Sequence, residues 1–375
     1  MKATIVCKRC ILNSDIVPDI QFDSNGVCNH CLRYDSLLQS RVQRGAAGKQ
    51  ALDELVNRVK SSGIGCEYDC IIGVSGGVDS TYVAYLVKQL GLRPLAVHLD
   101  NGWDSELAVK NIEKTLKKLD IELFTYVIDW EEFRDLQVAF LKASTPDGEI
   151  PSDHAISAVL WQQASKRGIR YIVSGMNFAT ESFSNPDWAY GHSDWEYIKN
   201  VHSIFGKRQL ESFPHFSLFD LFFYNVVKRI RIISVLNYID YKKEDAMQVL
   251  KKELDWEYYG GKHFESTYTR FYQSFFLPQK FGIDKRYGHL SDLINSGQIS
   301  REEALQEIGK PACPVEVAKS DIAYAIKKLG LSQAEFETIL NDSPKSFRDY
   351  RNSFSKVELL KKMVNFLRRN GLYPK

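Results

Sequence analysis

Ile71-Ile72-Gly73-Val74-Ser75-Gly76-Gly77-Val78-Asp79-Ser80 carries the chain out of a short apolar run, Cys70 to Val74, and into Thr81 to Leu90, where Val83, Leu86, Val87 and Leu90 recur at helical spacing. The reading is a strand, a loop with two glycines, and a helix. Glycine lets the backbone approach an anion closely, and a helix N-terminus offers unpaired N–H groups and the positive end of its dipole. Ser75 and Ser80 add hydroxyls, so a polyphosphate suits the loop. A strand-to-helix turn capped by Asp79 or Ser80 would account for the glycines alone. No Walker string ending in Gly-Lys-Ser/Thr occurs, which disfavours transfer of a γ-phosphoryl group.

Downstream the alternation continues. Leu95 to Leu99 is a second apolar run, Ser105 to Leu119 a helical pattern, Leu123 to Ile128 a third run, and helical patterns around 131–142 and 154–167 precede the run Tyr171 to Val173. Strands alternating with helices predict an α/β fold with a parallel sheet covered on both faces, and ligands bind such folds beyond the carboxyl ends of the strands. In the last third, Ser300 with Glu303 and Ser332 with Glu335 have capping-box spacing, while Gly309 and Gly371 fall where helices end. The resulting division is 1–45, 46–200, and a mainly helical 201–375.

Composition bounds the function. The chain has 375 residues, 44% of them apolar, enough for a large core. The most apolar long stretch, Phe216 to Leu236, is interrupted by Asp220, Lys228, Arg229 and Arg231, so it reads as a buried or amphipathic helix rather than a membrane span. No signal-peptide pattern opens the chain, and a cytoplasmic location is expected. A net charge of +2 argues against a protein built to hold nucleic acid. From Pro344 to Lys375, nine Lys or Arg face two acidic residues, a net +7, which leaves −5 for the rest; a solvated last helix is the plain reading.

Cys7-x2-Cys10 and Cys28-x2-Cys31 are separated by 17 residues, spacing that fits a four-thiolate zinc site, with Asn25-Gly26 supplying a tight turn before the second pair. Four thiolates leave zinc no open position, so the site would be structural. An iron–sulfur cluster or a redox pair are the competing readings. His30 lies inside the second pair as a bystander, and Cys66, Cys70 and Cys313 have no partner spacing.

The string Ser-Gly-Gly-Val-Asp-Ser resembles the PP-loop of ATP pyrophosphatases, over about residues 68–185. The resemblance implies a nucleotide-hydrolase, Rossmann-like domain in which Ser75, Gly76, Gly77, Val78, Asp79 and Ser80 hold the β and γ phosphates of ATP and leave the α-phosphorus open. Asp100 and Asn101, in His98-Leu99-Asp100-Asn101-Gly102, match where family members contact adenosine, although both suit a turn. Ser174-Gly175-Met176-Asn177-Phe178-Ala179-Thr180-Glu181 resembles the stretch of adenylating synthetases in which a Gly, an Asn and a Glu follow the strand, here as Gly-x-Asn-x-x-x-Glu, which makes Gly175 a nucleotide contact and Glu181 the candidate Mg²⁺ ligand.

Taken with the zinc-ribbon-like cysteine module, the strings Tyr259-Gly260-Gly261-Lys262-His263-Phe264-Glu265-Ser266, Thr269-Arg270-Phe271-Tyr272-Gln273 and Lys280-Phe281-Gly282-Ile283-Asp284-Lys285-Arg286 are similar to the N-acetyl sugar amidotransferases of bacterial surface-polysaccharide pathways, lipopolysaccharide O-antigen among them. That resemblance implies an acetamido group on a nucleotide-linked sugar converted to an acetamidino group. The amide oxygen attacks the α-phosphorus, pyrophosphate leaves, and ammonia then displaces AMP. Asp79, Glu181 and Lys262 are the catalytic candidates; Lys262, His263, Glu265, Arg270, Lys280, Lys285 and Arg286 are the substrate or pyrophosphate candidates, with a solvated basic face as the bland alternative. No N-terminal cysteine follows Met1, and no spare cysteine sits in a nucleophile elbow. Ammonia is therefore expected from a separate glutaminase, with a cyclase-like barrel protein as its channel. A transfer-RNA sulfurtransferase is the rival enzyme, and a zinc-containing RNA-binding module the non-enzymatic alternative.

Overall fold

The computed structural model describes residues 4–261 and 264–369. After the cysteine module come α1 (Asn29–Arg41) and α2 (Gly45–Ser62), then β1 (Cys70–Gly73), α3 (Val78–Gln89), β2 (Pro94–Asp100), α4 (Glu106–Leu119), β3 (Glu122–Val127), α5 (Trp130–Ala143), α6 (Ile150–Arg167) and β4 (Tyr171–Val173). Helix α7 (Trp195–Phe205), the short α8 (Leu218–Phe222) with a π turn (Phe223–Val227), and β5 (Arg231–Ile233) follow. The remainder is helical: α9 (Lys243–Leu254), α10 (Thr267–Phe271), α11 (Leu277–Phe281), α12 (Arg286–Asn295), α13 (Arg301–Ile308), α14 (Val315–Leu329), α15 (Gln333–Asn341) and α16 (Phe354–Arg369).

Among the described residues the sheet runs β3-β2-β1-β4-β5 with every pair parallel. Strands β1 and β2 are buried along nearly their whole length, as strands covered by helices on both faces must be. One core, with Leu95, Val97 and Ile172, packs under α5 and α6. The other, with Ile72, Val87 and Ala96, packs under α3 and α9. The order reverses direction between β1 and β4, and the crevice beyond their carboxyl ends is where such sheets take ligands.

Four of the five strands fall on the expected apolar runs. The fifth, β5, lies inside Phe216–Leu236, which is therefore no single buried helix: α8 is five residues long, and Phe219, Phe222 and Val227 are exposed. It also extends the sheet past residue 200, so the nucleotide domain reaches into the segment assigned to the helical region. Both capping boxes form, at Ser300–Glu303 and Ser332–Glu335, and Gly309 ends α13. Gly371 lies outside the described residues. Among those residues no helix is long and apolar enough to cross a membrane.

Candidate active site

The loop after β1 closes on itself through its hydroxyls. Ser80 Oγ accepts from Ser75 N at 3.3 Å and lies 3.1 Å from Ser75 Oγ, which accepts from Gly77 N at 3.3 Å. These are long bonds that a phosphate oxygen would improve on. Gly76 has φ of +76° and is wedged: a methyl group there would come within 2.6 Å of the Ala108 carbonyl oxygen in α4. Trp256 Nε1–H donates to the Gly76 carbonyl at 3.0 Å from the other side. Helix α3 begins with Gly77 as its N-cap and no side-chain cap, so neither Asp79 nor Ser80 plays the simple capping role.

Two further strands deliver partners to the loop. Gly175, just past β4, faces the first turn of α3 so closely that a methyl there would lie 3.1 Å from Ser80 N. The stretch following it turns through Asn177, whose Oδ1 accepts from Thr180 N and Thr180 Oγ1, and Glu181 comes next, within electrostatic range of Tyr241. Tyr241 also meets Asp79: its hydroxyl donates to Asp79 Oδ1, and burial together with the adjacent Asp79 and Glu181 carboxylates pushes its phenol far above the ordinary range. After β2, Asp100 Oδ1 accepts from Gly102 N and Asn101 Oδ1 from Trp103 N, so both shape the turn. His98 stands beneath it, with Nδ1 2.8 Å from the Val74 carbonyl and Nε2 3.2 Å from Asp104 Oδ2. Burial opposes charge on this imidazole, but the Asp104 carboxylate wins and its pKa lies above the ordinary value.

Glu265 arrives from the C-terminal region. Its carbonyl accepts from Ser105 N at 2.8 Å, and its Oε1 would meet a methyl on Gly77 at 2.9 Å. Tyr259 Oη accepts from Val78 N at 3.2 Å, and burial beside Glu265 raises its pKa. A carboxylate and a phenol thus stand at the N-terminus of α3, where an anionic phosphate would be drawn. Lys262 and His263, between them in sequence, lie outside the described residues.

The other basic candidates are corrected by their partners. Arg270 is held by Asp321 through two bonds, at 2.6 and 2.8 Å. Lys280 is buried, with Nζ capping the carbonyls of Ile339 and Asp342 at the end of α15. Arg286 binds Asp284 and the carbonyls of Glu307, in the last turn of α13, and Lys310, just past it. All three tie helices together. Lys285 alone joins a polar site: Nζ is 3.1 Å from Glu149 Oε2, next to His192, which lies 3.0 Å from Asp147 Oδ2 and 3.3 Å from Asp153 Oδ2. This group occupies the start of α6, at the sheet's carboxyl end, within reach of Asn101 through Ser152. The acidic run from Asp147 to Asp153 was its one signal in sequence; nothing local pointed to Tyr241 or Trp256.

The four cysteines converge. Their sulfurs all lie within 4.8 Å of one another and all four residues are buried. Cys10 and Cys28 sulfurs are 3.7 Å apart, close to the roughly 3.8 Å edge of a tetrahedron with zinc–sulfur bonds of about 2.3 Å. Backbone N–H groups of Arg9, Cys10 and Cys28 point at Cys7 Sγ, as thiolate ligands require. The donor set fits one tetrahedral metal, and His30 is outside it, its ring tilted against Phe183. Cys70 is a buried core thiol pushed up by desolvation.

A parallel sheet with this glycine loop at its switch point defines the PP-loop ATP pyrophosphatase class. The comparisons agree: residues 49–144 match the NAD synthase family model, and residues 265–364 match the model described as LPS biosynthesis protein WbpG-like, C-terminal domain. The chain is a PP-loop protein that carries a WbpG-like C-terminal domain. It is 23% identical over 326 residues to the uncharacterized protein MJ1599 of Methanocaldococcus jannaschii, covering 83% of this chain and 95% of that one. Similarity to the tRNA-specific 2-thiouridylase MnmA 2 of Fusobacterium nucleatum is 27% over 142 residues, 36% of this chain and 39% of the relative. Among solved structures, the NH3-dependent NAD synthetase of Campylobacter jejuni aligns over 38% of this chain and 64% of its own, at 15% identity and a TM-score of 0.29.

Proposed function

We propose that the chain adenylates the oxygen of an acetamido group on a nucleotide-linked sugar and lets ammonia replace AMP, leaving an acetamidino group. The observation that carries this reading is the contact of two parts: the PP-loop, suited to ATP, is met at Gly77 and Val78 by Glu265 and Tyr259, at the threshold of the WbpG-like domain. An amide carbonyl is a poor electrophile until its oxygen becomes a leaving group, so activation must precede attack. In this reading Ser75, Gly76, Gly77 and Ser80 hold the β and γ phosphates through N–H and O–H donors, and the rigid wedge at Gly76 aligns the α-phosphorus for in-line attack. Magnesium, when bound, neutralises phosphate charge; Asp79 and Glu181, drawn together around Tyr241, are the residues to hold it. Lys262 remains the candidate for stabilising departing pyrophosphate. Sugar and ammonia would enter over the carboxyl-end rim, where Lys285, His192 and Asp153 present partly exposed polar groups.

Zinc at the four cysteines would be structural, since no coordination position is left open. The ammonia source in this reading is a separate glutaminase with a cyclase-like channel protein, and the work is cytoplasmic. Sulfur transfer is the weaker reading because two of the three cysteines outside the metal module, Cys70 and Cys313, are buried with raised pKa values, the opposite of what a thiolate nucleophile needs, which leaves the half-exposed Cys66 without a second thiol. The test is incubation with ATP, Mg²⁺, an ammonium salt and a panel of nucleotide-linked N-acetyl sugars. Product mass changed by replacement of O with NH, with AMP formed in equal amount, is the expected outcome; AMP formation only with transfer RNA and a sulfur donor would overturn it.

A further inference from the structure

We infer that the four-cysteine module is a strut for the nucleotide site, in which His30, Arg33 and Tyr34 are positioning residues that hold the loop carrying Glu181. Cys28 is the N-cap of helix α1 and Cys31 lies in its first turn, so two of the four sulfurs fix its origin and its rotation about its own axis. Its first two turns then meet the Glu181 loop on both sides of that residue. Before it, the Tyr34 ring lies 5.2 Å from Phe178 and the Tyr34 hydroxyl donates to the Ala179 carbonyl at 3.3 Å. Past it, Arg33 Nη1 donates to the Ser182 carbonyl at 3.4 Å and the His30 ring lies 4.9 Å from Phe183.

The loop is also held by the C-terminal domain, around the same small cavity that α1 lines. Asp292 in α12 accepts from Ser182 Oγ at 2.6 Å and from Phe183 N at 2.7 Å. Phe183 packs against Gly288 so closely that a methyl there would lie 2.5 Å from its ring. The metal module is docked on the same domain, because Arg301 at the start of α13 donates to the carbonyls of Cys10 at 3.1 Å and Cys7 at 3.3 Å. The seam between α1, the loop and α12 encloses only about 10 Å³ of free volume, roughly one water. A close-packed seam transmits displacement instead of absorbing it, so a shift of α1 moves the loop.

These contacts fix the chain on either side of Glu181, at Ala179 and at Ser182. The approach of Glu181 to Tyr241 depends on where Ala179 and Ser182 are fixed. The inference rests on Glu181 being the magnesium ligand proposed above, and the test separates the two. Three variants, Tyr34→Phe, Tyr34→Ala and Glu181→Gln, are compared for zinc content, amide hydrogen exchange across residues 176–184, and the Mg²⁺ concentration that half-saturates tight ATP binding. Tyr34→Ala is expected to keep its zinc, exchange faster in that loop and raise the Mg²⁺ midpoint by about tenfold, with Tyr34→Phe, which keeps the ring, raising it by about threefold. Unchanged exchange and midpoint in Tyr34→Ala, with the midpoint shifted in Glu181→Gln, would overturn the strut. An unshifted midpoint in Glu181→Gln with faster loop exchange in Tyr34→Ala would instead overturn the magnesium assignment and keep the mechanical coupling. Should Tyr34→Ala lose its zinc, Arg33→Ala and His30→Ala carry the same comparison from exposed and half-buried positions.

Discussion

Replacing Gly76 with Ala tests whether the PP-loop works by its backbone shape. The new methyl would sit 2.6 Å from the Ala108 carbonyl oxygen and 3.0 Å from Ala108 Cα, on a residue with φ of +76°. Left-handed backbone costs a non-glycine residue about 1–2 kcal/mol. Relief of the clash requires a shift of roughly half an ångström or more, and overpacking of this kind costs about 1–3 kcal/mol. The loop cannot yield freely, because Trp256 holds the Gly76 carbonyl from the far side. A total of about 2–5 kcal/mol follows, which expressed in binding is a loss of ATP affinity between some thirtyfold and a few thousandfold. Gly77→Ala is the control: it is extended, with φ of −72°, and its methyl meets the movable end of Glu265. Calorimetric titration with ATP, beside thermal melting to show that each variant folds, reads the difference. Wild-type ATP affinity and melting temperature in Gly76→Ala would refute the reasoning, because the loop would then tolerate the shape it is argued to exclude.

Glu265→Gln removes a carboxylate from the N-terminus of α3 and should tighten ATP binding by about two- to fivefold, as like charge against phosphate at a helix terminus is worth about 0.3–1 kcal/mol; weaker binding would make Glu265 a ligand-holding group instead. Arg270→Ala should lower stability by about 3 kcal/mol in denaturant unfolding, since it strands the buried Asp321, while Arg270→Met with Asp321→Leu should recover most of it. Metal analysis should find one zinc per chain, lost on Cys7→Ser together with several degrees of melting temperature; about two or about four irons per chain, with sulfide, would instead assign a cluster. His192 has its pKa raised well above 6.5: burial opposes its charge, but Asp147 and Asp153 more than offset it. The protonated folded form therefore contributes stability that is full below pH 6.5 and is lost as pH rises through the folded pKa, and this alkaline slope should flatten in His192→Gln.

The nucleotide domain was legible because its signals are local. Apolar runs of strand length, helical spacing after each, and the glycines between them name the α/β class without reference to distant residues, and the cysteine pairs carry their own spacing. Strand β5 escaped because three residues, Arg231 to Ile233, at a sheet edge are too few and too exposed to alternate, and their flanking apolar residues mimic a helix. The basic candidates show the opposite limit. Arg270, Lys280, Lys285 and Arg286 look alike in sequence as cations near a glycine-rich motif, yet three are occupied by Asp321, by the end of α15 and by Asp284, while one reaches a carboxylate at the rim. Whether a cation is available to a ligand depends on which acceptor lies within about 3 Å, and that acceptor here is from 2 to 136 positions away along the chain. Residue type and local period thus determined four of the five described strands, the phosphate loop and the metal module. Tertiary structure alone decided that Tyr241 and Trp256 close the loop, that Glu265 rests on Gly77, and that the cysteine module braces Glu181, because each is a contact between segments whose separation in sequence carries no distance information.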